Sequence, residues 1–91
     1  MPGRAIKVLL FGPARDALDG KAELDVELLE DRENVLGLRS VLWESFPELR
    51  HVLETSIFAV NNRMVPKKME AVESIKSPNP EIVLVPPVSG G

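Results

Sequence analysis

EIVLVPPVSGG, residues 81–91, is the stretch whose reading decides the fold. Glu81 is followed by four aliphatic residues, and an unbroken apolar run of this length reads as a strand buried on both faces. Pro86 and Pro87 lack N–H groups and hold φ at about −65°, so they end sheet pairing and project the chain in an extended form. Val88 and Ser89 are small. Gly90 and Gly91 have no Cβ and can follow a channel too narrow for side chains. From Ile82 to Gly91 the only charge is the terminal carboxylate.

One other strand is as apolar as 81–85. Residues 5–11, AIKVLLF, form a β-rich run broken by a single lysine and closed by Gly12-Pro13. The two most apolar strands belong at the centre of a sheet, side by side. With a helical crossover between them, they pair in parallel.

The residues between supply the rest. Asp19-Gly20 is a turn signal after a loop over 12–20. Ala22, Leu24, Val26 and Leu28 then alternate with Glu23, Asp25 and Glu27, the period of a strand with one wet face. From Val35 the period changes: Val35, Leu38, Leu42 and Phe46 make one stripe of a helix. Asn34 suits its N-cap, acids precede it, and Pro47 stops it. Gly37 in the first turn is unfavourable for that helix, and Trp43 reads as its edge lying over the sheet. Residues 48–55 read as a loop with room for one helical turn. Residues 56–60 are a third strand, Asn61-Asn62-Arg63 a tight turn, Met64-Val65 a short fourth strand cut off by Pro66, and 66–80 an irregular stretch. The order β-β-α-β-β-β predicts an α+β, single-domain β-grasp over 1–91. A mixed sheet carries one main helix across one face, and an extended, mobile tail occupies 86–91.

Composition narrows the function. The chain has 91 residues, no cysteine and one histidine, His51, so neither a Cys–His dyad nor a familiar zinc cluster can be built. The glycines form neither GxGxxG nor a phosphate-binding loop. Absence of cysteine and of a membrane-length apolar run points to a cytoplasmic address. A net charge of −3 argues against a nucleic-acid partner, and no membrane partner is expected. Charge is unevenly spread: residues 21–33 hold six acids against Lys21 and Arg32, while 61–76 hold Arg63, Lys67, Lys68 and Lys76 against Glu70 and Glu73. These are either two solvated faces or an acidic face that steers a basic partner.

What remains is the tail. A carboxylate is inert until one oxygen becomes a leaving group, which adenylation achieves, and a terminal glycine lets the activating enzyme approach. Sulfide or a persulfide could then displace AMP to leave a thiocarboxylate; an amine or thiol would instead give a conjugate. The plain alternative is a frayed glycine end or an expression remnant.

Four pieces carry a family resemblance: IKVLLFGPARDALDG (6–20), NVLGLRSVLWESFPEL (34–49), IFAVNNRMV (57–65) and EIVLVPPVSGG (81–91). The chain resembles the ubiquitin-like ThiS/MoaD sulfur carriers, in particular the MoaD-like small subunits of molybdopterin synthase. The resemblance implies a cycle. A MoeB-like enzyme uses ATP to adenylate Gly91, and a persulfide sulfurtransferase converts it to a thiocarboxylate. The tail, Pro86, Pro87, Val88, Ser89 and Gly90, then inserts into a MoaE-like large subunit. There the sulfur passes to cyclic pyranopterin monophosphate, within a heterotetramer. No cofactor is held permanently and no metal is implied. The resemblance also maps the partner interface onto Phe11, Arg15, Met64 and Val85. From the residues alone, Phe11, Met64 and Val85 belong either to the core or to an exposed apolar patch.

Two departures stand out. Ser77-Pro78-Asn79-Pro80-Glu81 replaces the family's acidic Gly-Asp-Glu turn, and Asn62-Arg63 replaces a frequent Asn-Gly. Two alternatives therefore remain: a carrier for thiamin thiazole, tRNA thiolation or protein modification, and an interaction module whose tail is never activated.

Overall fold

A computed structural model describes residues 3–86 of the chain. The elements are β1 (Gly3–Leu10), α1 (Pro13–Ala17), β2 (Glu23–Leu29), α2 (Val35–Ser45), α3 (Arg50–Thr55), β3 (Ile57–Val60), β4 (Arg63–Val65) and β5 (Ile82–Val85). Single 3-10 turns occupy Glu30–Arg32, Pro47–Leu49 and Lys67–Met69.

The five strands form one mixed sheet in the order β2-β1-β5-β3-β4. β1 and β5 are parallel, with Val8 opposite Ile82 and Leu10 opposite Leu84. All other pairs are antiparallel. The last strand is therefore the middle one, and the arrangement is the β-grasp expected from the two apolar runs.

One face of the sheet is the core. Val8, Leu10, Leu24, Val26, Leu28, Phe58, Val60, Val65, Ile82 and Leu84 are buried against Val35, Leu38 and Leu42 of α2, with Leu49, Leu53 and Ile75 closing the sides. Phe46 lies just past the helix and packs against this cluster half-buried.

Local chemistry sets the boundaries. Asn34 Oδ1 accepts the N–H of Gly37 at 2.7 Å and caps α2. The next free donors are met by the irregular stretch, since Val35 N–H donates to Glu73 O and Leu36 N–H to Glu70 O. Gly37 is required there: a Cβ would lie 2.3 Å from the carbonyl oxygen of Arg32. Asn61 (φ 50°) and Asn62 (φ 69°) form the two-residue loop between β3 and β4, where both positions need positive φ. Asn61 also holds the start of β5: its N–H donates to Glu81 O at 2.8 Å, and its Oδ1 accepts from Glu81 N–H at 2.9 Å.

Three expectations change. The loop over 12–20 contains α1, which Pro13 opens and buried Ala14 anchors. Residues 50–55 are a full short helix, held by Leu53 in the core. Trp43 stands exposed on α2, not over the sheet, and the Arg50 guanidinium lies 5.5 Å from its ring centre. No helix among the described residues is long and apolar enough to cross a membrane.

Candidate functional site

The helices cover one face of the sheet, while the strands IFAV and IVLV are apolar on both. Strand alternation therefore leaves apolar side chains on the opposite, outer face. The register lines them up. Across the sheet, Leu9 is opposite Val83, Val83 opposite Ala59, and Ala59 opposite Met64. The neighbouring row pairs Val85 with Ile57. Leu9, Ile57, Ala59, Val83 and Val85 are half-buried, and Met64 is 58% exposed at the rim.

Phe11 follows β1 directly and is 49% exposed. Leu10 pairs with Leu84, so the next residue along, Phe11, falls beside Val85. Gly12 then turns the chain with φ 53° and ψ −126°, a combination open to glycine. A Cβ on Gly12 would touch the ring of Pro86 at 3.9 Å. The turn that presents Phe11 thus lies against the root of the tail.

Of the residues anticipated at an interface, Phe11, Met64 and Val85 share this outer face; Pro86, anticipated in the tail, is half-buried just past the end of β5. Arg15 is exposed on α1, outside both rows. Pro87, Val88, Ser89, Gly90 and Gly91 lie outside the described residues, as does the expectation of a mobile tail. Leu9, Ile57, Ala59 and Val83 were missed from the sequence. The available signal was that two apolar strands with one layer of helix leave a face uncovered.

The face is bounded by charge. Lys7 Nζ lies 3.4 Å from Glu23 at the β2 side, and Asp25 and Glu27 continue that rim. An apolar centre with a charged rim is the anatomy of a protein-binding surface, and here the tail leaves from its middle strand. His51, the single histidine, is exposed on α3, away from these rows. Among the described residues no group of three or more His, Cys, Asp or Glu side chains is placed to hold a metal.

Comparison with known proteins agrees with this geometry. The chain is 33% identical over 85 residues to the molybdopterin synthase sulfur carrier subunit of Dictyostelium discoideum, covering 93% of this chain and 94% of that one. The structure is similar to small archaeal modifier protein 1 of Methanosarcina acetivorans, with a TM-score of 0.71, 25% identity and full coverage of both chains. It shares its fold with a chain in a complex of subunits 1 and 2 of molybdopterin-converting factor from Helicobacter pylori. That match has a TM-score of 0.60 at 22% identity over 97% of this chain and 100% of that one. The ThiS family model matches residues 8–91, and with a curated relative alike over nearly its whole length, the chain belongs to the ThiS family.

Proposed function

We propose that this chain is the sulfur-donating small subunit of a molybdopterin synthase. The observation that carries the reading is the uncovered apolar face of β1, β5, β3 and β4, which surrounds the root of the tail at Val85 and Pro86. A large subunit binding that face would receive the tail directly into its own active site. The tail is narrow enough to enter, because no residue after Val88 is larger than serine.

The chemistry resides in the carboxylate of Gly91. An adenylating enzyme joins it to AMP from ATP and releases pyrophosphate. The outer sulfur of a persulfide on a sulfurtransferase attacks the glycyl carbon and expels AMP. A second thiol then cleaves the S–S bond, becoming a disulfide and leaving the thiocarboxylate, whose sulfur the large subunit directs onto cyclic pyranopterin monophosphate. The carrier itself provides reach and docking, and the catalytic groups belong to its partners. The cycle proposed belongs to the cytoplasm, where ATP and reduced thiols are at hand.

A second reading, a modifier joined through Gly91 to a lysine amine, is favoured by the likeness to the archaeal modifier protein. Intact mass of the chain, purified from cells containing its pathway enzymes, separates the two. A gain of about 16 Da mapped to Gly91 marks the thiocarboxylate. Mapping is essential because oxidation of any of the three methionines adds nearly the same mass. Ladders of larger species linked through Gly91 would support the modifier, and an unchanged terminus with the activating enzyme and ATP present would overturn both.

A further inference from the structure

β2 is a border of the sheet, with β1 on one side and no strand on the other among the described residues. Its ladder to β1 fixes which of its backbone groups are occupied. Leu10 N–H donates to Ala22 O at 2.9 Å. Antiparallel pairs alternate between bonded and non-bonded, so by the register Val8–Leu24, Ile6–Val26 and Arg4–Leu28 are the bonded pairs. Glu23, Asp25 and Glu27 therefore aim both N–H and C=O away from β1. No backbone bond from a loop or turn among the described residues reaches them. β2 thus presents three donors and three acceptors in a straight row.

The same three residues carry the acidic side chains. All are exposed on the outer face, two positions apart. On the helix side, two depressions open at the ends of β2. One of about 340 Å³ is lined by Leu18, Leu24 and Phe46 together with Asp19, Lys21 and Glu48, and one of about 190 Å³ is lined by Leu28 with Arg4, Glu30 and Glu33. Their β2 residues lie four apart, about 13 Å along a strand. An added strand would find charge on one face, hollows with an apolar floor at Leu24 and Phe46 and a charged margin on the other, and open ladder groups between.

A second copy of β2 does not fit, because antiparallel pairing would set acid opposite acid, and like charges directly opposite are destabilising. The far border offers little: β4 has three residues and is closed by Pro66.

We propose that the β2 margin binds an extended segment of another protein as a sixth strand. The segment carries Lys or Arg at alternate positions beside Glu23, Asp25 and Glu27, with apolar residues between them facing the hollow at Leu24 and Phe46. Ladder bonds supply affinity, and charge and hollows supply selection. The site is separated from β5 by β1, so it is independent of the tail chemistry and leaves the outer face of β5, β3 and β4 open.

The competing account is that the acids only keep this border from sticking to other borders. A titration of the full isotope-labelled chain with an acetylated nine-residue peptide alternating Lys and Val decides between them. Amide shifts are expected to centre on Glu23, Asp25 and Glu27, with slowed hydrogen exchange at those amides. Methylating one alternate set of peptide amides should weaken binding about tenfold or more, and methylating the other set should leave it unchanged. The double variant Asp25→Lys, Glu27→Lys, at exposed positions, should lose the Lys–Val peptide and gain its Glu–Val counterpart. Equal binding of the same peptide with every lysine Nζ acetylated, or equal response to both methylation patterns, would overturn the proposal.

Discussion

Arg39 grips the carboxylate of Glu70 from both sides. Its Nε donates to Oε1 at 2.8 Å and its Nη2 to Oε2 at 2.6 Å, and the Glu70 side chain is 3% exposed. The same guanidinium donates to the carbonyls of Leu53 and Ser56 and lies 5.1 Å from the ring centre of Phe58. One side chain on α2 thereby fastens the end of α3, the start of β3 and the irregular stretch beyond β4. Two unpaired charges would be costly at this depth, so the pair stands or falls together.

Removing one partner should therefore hurt more than removing both. Glu70→Gln or Arg39→Met is expected to cost about 3 kcal/mol in urea unfolding. Arg39→Met with Glu70→Leu should recover much of that loss. Arg39→Lys should not rescue, because an ammonium cannot form the fork or reach two carbonyls at once. Equal effects of the single and double changes would remove the pair from this role.

Gly37 reverses an ordinary expectation. Alanine for glycine within an exposed helix normally stabilises by about 1 kcal/mol. Here the new methyl would meet the carbonyl of Arg32 at 2.3 Å, a backbone atom that cannot swing aside. Gly37→Ala should lower the melting temperature, whereas Ser40→Ala, on the same helix, should not.

The turn between β3 and β4 can be improved. Asn62 sits at φ 69°, where asparagine is tolerated and glycine is preferred. Asn62→Gly should raise stability by about 0.5 kcal/mol, read by chemical denaturation. Asn61→Gly should not, because it deletes the side-chain acceptor for Glu81 N–H.

Met64→Asp and Phe11→Asp test the docking face. Both side chains are exposed, so folding stability should change by about 0.5 kcal/mol or less. Affinity for the large subunit should fall about tenfold or more in a calorimetric titration, as expected for aromatic and methionine anchors. Retained affinity would shift the interface elsewhere on the surface.

The sheet and its central parallel pair were legible because AIKVLLF, broken only by Lys7, and IVLV are the most apolar runs, and the AELDVEL alternation plainly marks a strand with one wet face. The cap at Asn34 and the turn at Asn61-Asn62 were equally plain, since few residues serve those geometries. The short helices were not. Five residues of α1 span barely more than one turn, too little for a 3.6-residue period to show. α3 was obscured by Arg50-His51 at its start, and what holds it is Leu53, a contact made far along the chain. The outer apolar face was half legible: Phe11, Met64 and Val85 were singled out through the family resemblance, while Leu9, Ile57, Ala59 and Val83 required the register. Arg39 and Glu70 gave no signal, because a buried ion pair across 31 residues has no local pattern.

The position of β5 has a consequence for the order of assembly. β1 with β2, and β3 with β4, are hairpin-like halves that touch in the sheet only through β5. Until Ile82–Val85 has been synthesised, the ribosome has released two half-sheets with no strand to join them. The face around Phe11 and Met64 exists as one surface only after that insertion. If the activating enzyme proposed above recognises the assembled face, it would ignore chains in which that strand is missing or unpaired, and the closing strand would proofread the tail that follows it.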